Sequence, residues 1–141
     1  MHSFKVTMLL LLITGCCYSQ NHVYKFRVDS SFYSNSNKTD GSYIWVLVEG
    51  VKNTLLVYDG DNNKINIYSD ITQDLSIIKH GYTSEDKLHT WQMFHMTCID
   101  QDNRQCEVIM TLYRDPVDKK QHTQMIIEYP DSKYRFDLRF D

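Results

Sequence analysis

Hydrophobic and polar positions alternate with a period of two in one short stretch after another. No stretch carries the 3.6-residue period of an amphipathic helix. The alternation is cleanest over residues 133–140, where Tyr134, Phe136, Leu138 and Phe140 fall on one side and Lys133, Arg135, Asp137 and Arg139 on the other. Such a segment is an antiparallel strand with one face in the core and one in water. Residues 23–28 alternate too, and residues 43–49 (YIWVLVE) are apolar on both faces. Residues 54–58 and 64–68 flank Asp59-Gly60-Asp61-Asn62-Asn63, a hairpin signal with a type I′-like turn. Residues 75–79 and 122–129 add two strands, the second reaching the closing strand through a turn at Pro130-Asp131-Ser132. The polar segments 29–42 and 81–87 read as loops.

The stretch from Leu88 to Tyr113 organises the rest. It reads as two long strands with a cysteine on each side of the bend. A three-residue loop at Gln101-Asp102-Asn103 pairs Asp100 with Arg104, Cys98 with Cys106, Met96 with Val108, Phe94 with Met110 and Gln92 with Leu112. One face is then apolar along nearly its full length, as a consistent register requires. About nine strands joined by short turns predict an all-β fold, an antiparallel meander forming a small barrel of lipocalin-like shape or a sandwich. The short hairpin connections favour the barrel.

The first nineteen residues stand apart. One charge at Lys5 precedes the apolar run VTMLLLLIT and then small residues. This run is shorter than the roughly 20 residues a membrane-spanning helix needs, and it has the layout of an export signal. Two processing routes are open. Cleavage after Ser19 leaves a single domain over residues 20–141 with two cysteines, Cys98 and Cys106. Alternatively, Leu12-Ile13-Thr14-Gly15-Cys16 resembles a bacterial lipobox, whose signal ends before Cys16 and whose cysteine is lipidated. Loss of Lys5 with the leader takes the 15 basic residues to 14 against 18 acidic ones, a formal charge of −4. That balance argues against a nucleic-acid partner, which needs a basic patch. No polybasic run indicates a membrane surface, so contact with a membrane is expected only through a lipid on Cys16.

Candidate chemistry is sparse. Directly opposed cysteines on neighbouring strands of an exported protein predict a Cys98–Cys106 disulfide, with two buried free thiols as the alternative. On the other face of the hairpin, His95 and its diagonal neighbour Glu107 form the one local acid–base candidate, against a plain rim contact. His89 lies about 20 Å from His95 along an extended strand, too far to share an ion. Asp59-x-Asp61-x-Asn63 with Asp70 lacks the glycine of a calcium loop, since Lys64 holds the sixth position. Asn37-Lys38-Thr39 is a glycosylation sequon taken as loop composition. No cofactor, metal or catalytic residue is expected.

Three segments together, residues 55–78, 99–108 and 125–140, resemble short exported β-rich proteins of Bacteroidetes-type bacteria. Such proteins often carry glycine in the cysteine-flanked turn, where this chain has Asn103, a residue that also accepts the left-handed conformation. The resemblance implies a secreted, periplasmic or envelope location and brings no activity with it. Two function classes follow. One is a non-catalytic module that holds a small apolar ligand or presents its surface to an envelope protein or glycan. The other is an enzyme whose site is scattered along the chain, with His95 and Glu107 as the first place to look.

Overall fold

The computed structural model describes residues 22–35, 44–69, 72–88 and 90–141. The strands are β1 (Val23–Asn35), β2 (Val46–Val48), β3 (Leu55–Asp59), β4 (Lys64–Tyr68), β5 (Gln73–Glu85), β6 (Trp91–Ile99), β7 (Gln105–Arg114), β8 (Gln121–Glu128) and β9 (Ser132–Phe140). They form one antiparallel sheet in the order β2-β1-β3-β4-β5-β6-β7-β8-β9, and β9 returns to pair with β1. Eight strands therefore close into a barrel, and β2 hangs on the edge of β1 outside the ring. The all-β barrel expected from the short turns is the observed architecture.

The central hairpin adopts the expected register, with Cys98 opposite Cys106, Met96 opposite Val108 and Trp91 opposite Tyr113. Asn103 takes the left-handed conformation at φ 62°. In the β3–β4 turn, however, the left-handed residue is Asn63 (φ 53°) and not Gly60. Gly60 is small for a different reason. A Cβ there would lie 3.1 Å from the His22 carbonyl oxygen, where the residue before β1 meets the turn.

Two strands outrun the sequence reading. β1 and β5 have 13 residues each and continue through positions read as loops. Both are bulged: β1 shifts register against β9 between Val28 and Ser30, and β5 shifts twice against β6, between Ile77 and Lys79 and between His80 and Thr83. A bulge sets two residues opposite one and breaks the period of two, so the strand signal stops where the strand does not. At Gly81 an added Cβ would sit 3.0 Å from the His95 carbonyl oxygen, so any larger residue would push β5 a few tenths of an ångström away from β6. β2 is shorter than expected, because only three residues find partners on β1.

Inward positions fill the barrel. Leu56, Ile65, Leu75, Met125, Ile127, Val28 and Val108 are completely or almost completely buried. An eight-stranded barrel is just wide enough for side chains to fill it or for one small ligand; here Leu, Ile, Met and Phe side chains occupy the centre. Truncating one of the large ones would cost about 2–5 kcal/mol. The β1–β9 seam is reinforced outside by Arg139, which bonds Asp29 and Asn53, and by Arg27 Nε donating to Asp141 Oδ1 at 3.1 Å.

The antiparallel order assigns the turns to two ends. The β4–β5, β6–β7 and β8–β9 turns share the end near Cys98 and Cys106, called the cysteine end. The β3–β4, β5–β6 and β7–β8 turns share the opposite, histidine end, with His22 and His122.

Candidate functional site

At the cysteine end the β2–β3 connection folds across the barrel mouth. Asn53 N donates to Val28 O at 2.8 Å and Thr54 N to Val51 O at 3.1 Å. Gly50 (φ 82°) and Asn53 (φ 68°) supply the left-handed conformations this path needs. Beneath it lies a cleft of about 100 Å³. It is lined by the apolar Val48, Val51, Ile67 and Phe136 and by the uncharged polar residues Ser31, Thr54, Ser69, Gln73 and Tyr134. Burial pushes the Tyr134 phenol above its ordinary value, so it stays a neutral hydroxyl. None of these residues carries a charge at neutral pH. Sequence reasoning missed them because they come from four separated segments that only barrel closure unites.

Beside the cleft, the β6–β7 turn is tied into the fold by one carboxylate. Asp100 Oδ1 accepts from Asp102 N at 2.9 Å and from Arg104 N at 2.8 Å, and its Oδ2 accepts from the Tyr129 hydroxyl at 2.8 Å. Arg104 stacks over the Tyr129 ring at 4.6 Å and donates to Asp131 at 3.1 Å. Partial burial opposes ionisation of Asp100, but the Arg104 N–H and the Tyr129 hydroxyl outweigh it and hold the carboxyl below its ordinary range. Burial, then the adjoining Asp100, push the Tyr129 phenol far up.

The expected disulfide is not formed: Cys98 and Cys106 are opposed, buried and free. The strand ladder gives the physical reason. Asp100 N donates to Arg104 O and Arg114 N to Thr90 O, so even-numbered positions of β6 sit in hydrogen-bonded pairs. In such pairs the Cα atoms are about 5.5 Å apart and the side chains diverge, whereas non-hydrogen-bonded pairs bring them closer. Cys98 thus opposes its partner at the less favourable kind of site for a bond with its narrow Cβ separation. Burial pushes Cys98 up to about 12 and Cys106 up to about 11, so neither is a reactive thiolate at neutral pH.

His95 and Glu107 do come together on the outer wall, with Nδ1 and Oε2 at 3.7 Å, and their side chains are 24% and 38% exposed. Both Glu107 oxygens lie 3.1 Å from the Thr97 hydroxyl, and Tyr82 stacks on the His95 ring at 5.2 Å. With both side chains partly open to solvent, the pair is a surface contact of the kind worth under about 1 kcal/mol.

Comparison of the chain with known protein families, with curated proteins and with solved structures gives no match.

One polar group at the histidine end escaped the sequence reading. Asp115, Asp118 and His122, on either side of the β7–β8 turn, bring one donor atom each to within 4.8 Å of one another. The spacing Asp-x-x-Asp-x-x-x-His was the available signal. It was silent because a turn, not a helix or strand period, brings these residues together. In the β3–β4 turn the Asp59 carboxylate is taken by Asn62 and that of Asp61 by His22, in keeping with turn chemistry. Cys16, Asn37, Asp70, His89 and the leader over residues 1–19 lie outside the described residues.

Proposed function

We propose that the chain is an exported, non-catalytic binding module that seats a small, uncharged, mainly apolar group in the cleft at the cysteine end. The observation that carries this reading is the contrast between a barrel centre filled with side chains and a cleft lined by apolar and uncharged polar residues alone. A cavity of about 150 Å³ holds a benzene molecule. The smaller cleft suits a few-atom molecule, or the end of a larger ligand whose remainder lies in solvent. The enzyme reading draws less support, because His95 and Glu107 stand 3.7 Å apart and Glu107 already meets the Thr97 hydroxyl through both oxygens. Export rests on the leader, and a lipid anchor rests on the lipobox-like run that ends at Cys16.

The test is methyl NMR of the folded chain against a panel of short alcohols and small aromatic molecules. At least one should shift the Ile67 and Val48 methyls in a saturable way, with affinity falling about ten-fold when Val51→Phe fills the cleft. A panel that leaves those methyls unmoved, or binding unaltered by Val51→Phe, would sink the proposal. For export, Cys16→Ala should release the protein from membranes if that cysteine carries the lipid, and unchanged fractionation would reject the lipid route.

A further inference from the structure

We propose that Asp115, Asp118 and His122 form a binding site for a first-row divalent transition ion at the histidine end of the barrel. The donor set is mixed, two carboxylates and one imidazole, and among the described residues it is the one trio whose donor atoms lie within 4.8 Å of one another. Ligand atoms sharing one zinc ion stand roughly 3 to 4 Å apart, given metal–ligand bonds near 2.0–2.2 Å. His122 Nε2 and Asp118 Oδ2 are already 2.8 Å apart. An ion entering the trio takes the place of the proton shared between those two atoms. Asp115 brings its own donor atom to within 4.8 Å of the other two.

The surroundings orient the donors. Tyr113 stacks against the His122 ring at 5.2 Å with an interplanar angle of 18°, which fixes the imidazole plane and leaves Nε2 directed at the turn. Asp115 Oδ1 accepts from Val117 N at 2.7 Å, and Asp118 Oδ1 from Lys120 N at 2.7 Å. Each carboxylate is thereby held through one oxygen and presents the other. Fixing ligands from behind is what raises affinity at a metal site.

The same turn selects the class of ion. Arg114, Lys119 and Lys120 flank the two aspartates, so charge alone gives little hold on Ca²⁺ or Mg²⁺. Those ions also want six or more oxygen ligands, which three side chains do not supply. An ion that bonds to imidazole nitrogen gains from His122 what the local charge withholds. Three protein donors leave at least one position open to water. The site stands apart from the cleft, since the two lie at opposite ends of the barrel, and neither reading depends on the other.

The full folded chain is titrated with Zn²⁺ by calorimetry and with Co²⁺ by visible absorption, while NMR follows the histidine rings. His122 ring resonances should shift on Zn²⁺ addition. Affinity should fall at least about ten-fold in His122→Gln and in Asp118→Asn separately, the loss seen even when a group behind a ligand is removed. His22→Gln and His95→Gln should bind as the parent does. The thermal midpoint without metal reports whether each variant is folded, and Asp115→Asn, the mildest change to the turn, serves as the second ligand variant if one is not. Zn²⁺ binding that leaves the His122 ring unmoved, no saturable binding of either ion, or Ca²⁺ competing as well as Zn²⁺ would each overturn the proposal.

Discussion

The two turns that β7 joins make an instructive pair. The β6–β7 turn at the cysteine end and the β7–β8 turn at the histidine end are built alike. In each an aspartate accepts backbone N–H groups from within the turn, Asp100 from Asp102 and Arg104, and Asp115 from Val117. Each also holds one non-glycine residue in the left-handed conformation, Asn103 at φ 62° and Lys119 at φ 61°. They differ in what the second carboxylate oxygen and its neighbours meet. Asp100 reaches Tyr129 at the end of β8, and Arg104 reaches Asp131, so that turn is part of the fold. In the other turn Asp118 meets His122 four residues on, and the polar groups face one another at the surface. Similar local chemistry thus serves the fold at one end and leaves donors available to a ligand at the other.

The contrast can be broken by removing each aspartate. Asp100→Ala removes two turn bonds and the acceptor of the Tyr129 hydroxyl, and should lower stability by about 2 kcal/mol. Asp115→Ala, which touches only its own turn, should cost about 1 kcal/mol or less. Urea unfolding measures both, and equal losses would erase the distinction. Tyr129→Phe sharpens it further: it should cost about 1 kcal/mol, and little of that should remain in the Asp100→Ala background, because the two changes remove one shared bond.

The response to pH follows from the same groups. Cys98, Cys106 and Tyr129 have folded values raised above their unfolded ones. Their stabilising contribution is therefore complete below the unfolded pKa. It is lost as pH rises past about 9 for the thiols and about 10 for the phenol. Asp100 is lowered, so its contribution is present above its unfolded value near 3.9 and is lost as pH falls below it. Unfolding free energy should be level between about pH 5 and 8 and decline on both sides. The alkaline limb should survive Asp118→Asn and shrink in Tyr129→Phe, and a limb untouched by Tyr129→Phe would separate that residue from the effect. The smallest expected effect is a null one. With both thiols free, reductant should leave the intact mass unchanged, and a form about 2 Da lighter without reductant would restore the disulfide.

The sequence was legible wherever the structure follows a strict period and a short turn. The β6–β7 register, the inward set Phe136 and Leu138 on β9 and the left-handed Asn103 were all readable, because alternation and turn chemistry act over neighbouring residues. The second halves of β1 and β5 were not, because the bulges at Val28/Ser30 and in the Ile77–Thr83 region shift the phase of the pattern. The cysteine pair was half readable. Its register was legible, but whether the pair falls in a hydrogen-bonded position depends on which edge of each strand meets its neighbour.

By itself, then, the sequence determined the strand inventory, the faces most strands bury and the central hairpin, all set by interactions between residues close along the chain. Closure of β9 onto β1 was decided only in three dimensions, as were the cleft under the β2–β3 connection and the different fates of two similar turns. Each depends on residues far apart in sequence, such as Asp100 and Tyr129 or Ser31 and Gln73, and their meeting is a property of the closed barrel that no local pattern encodes.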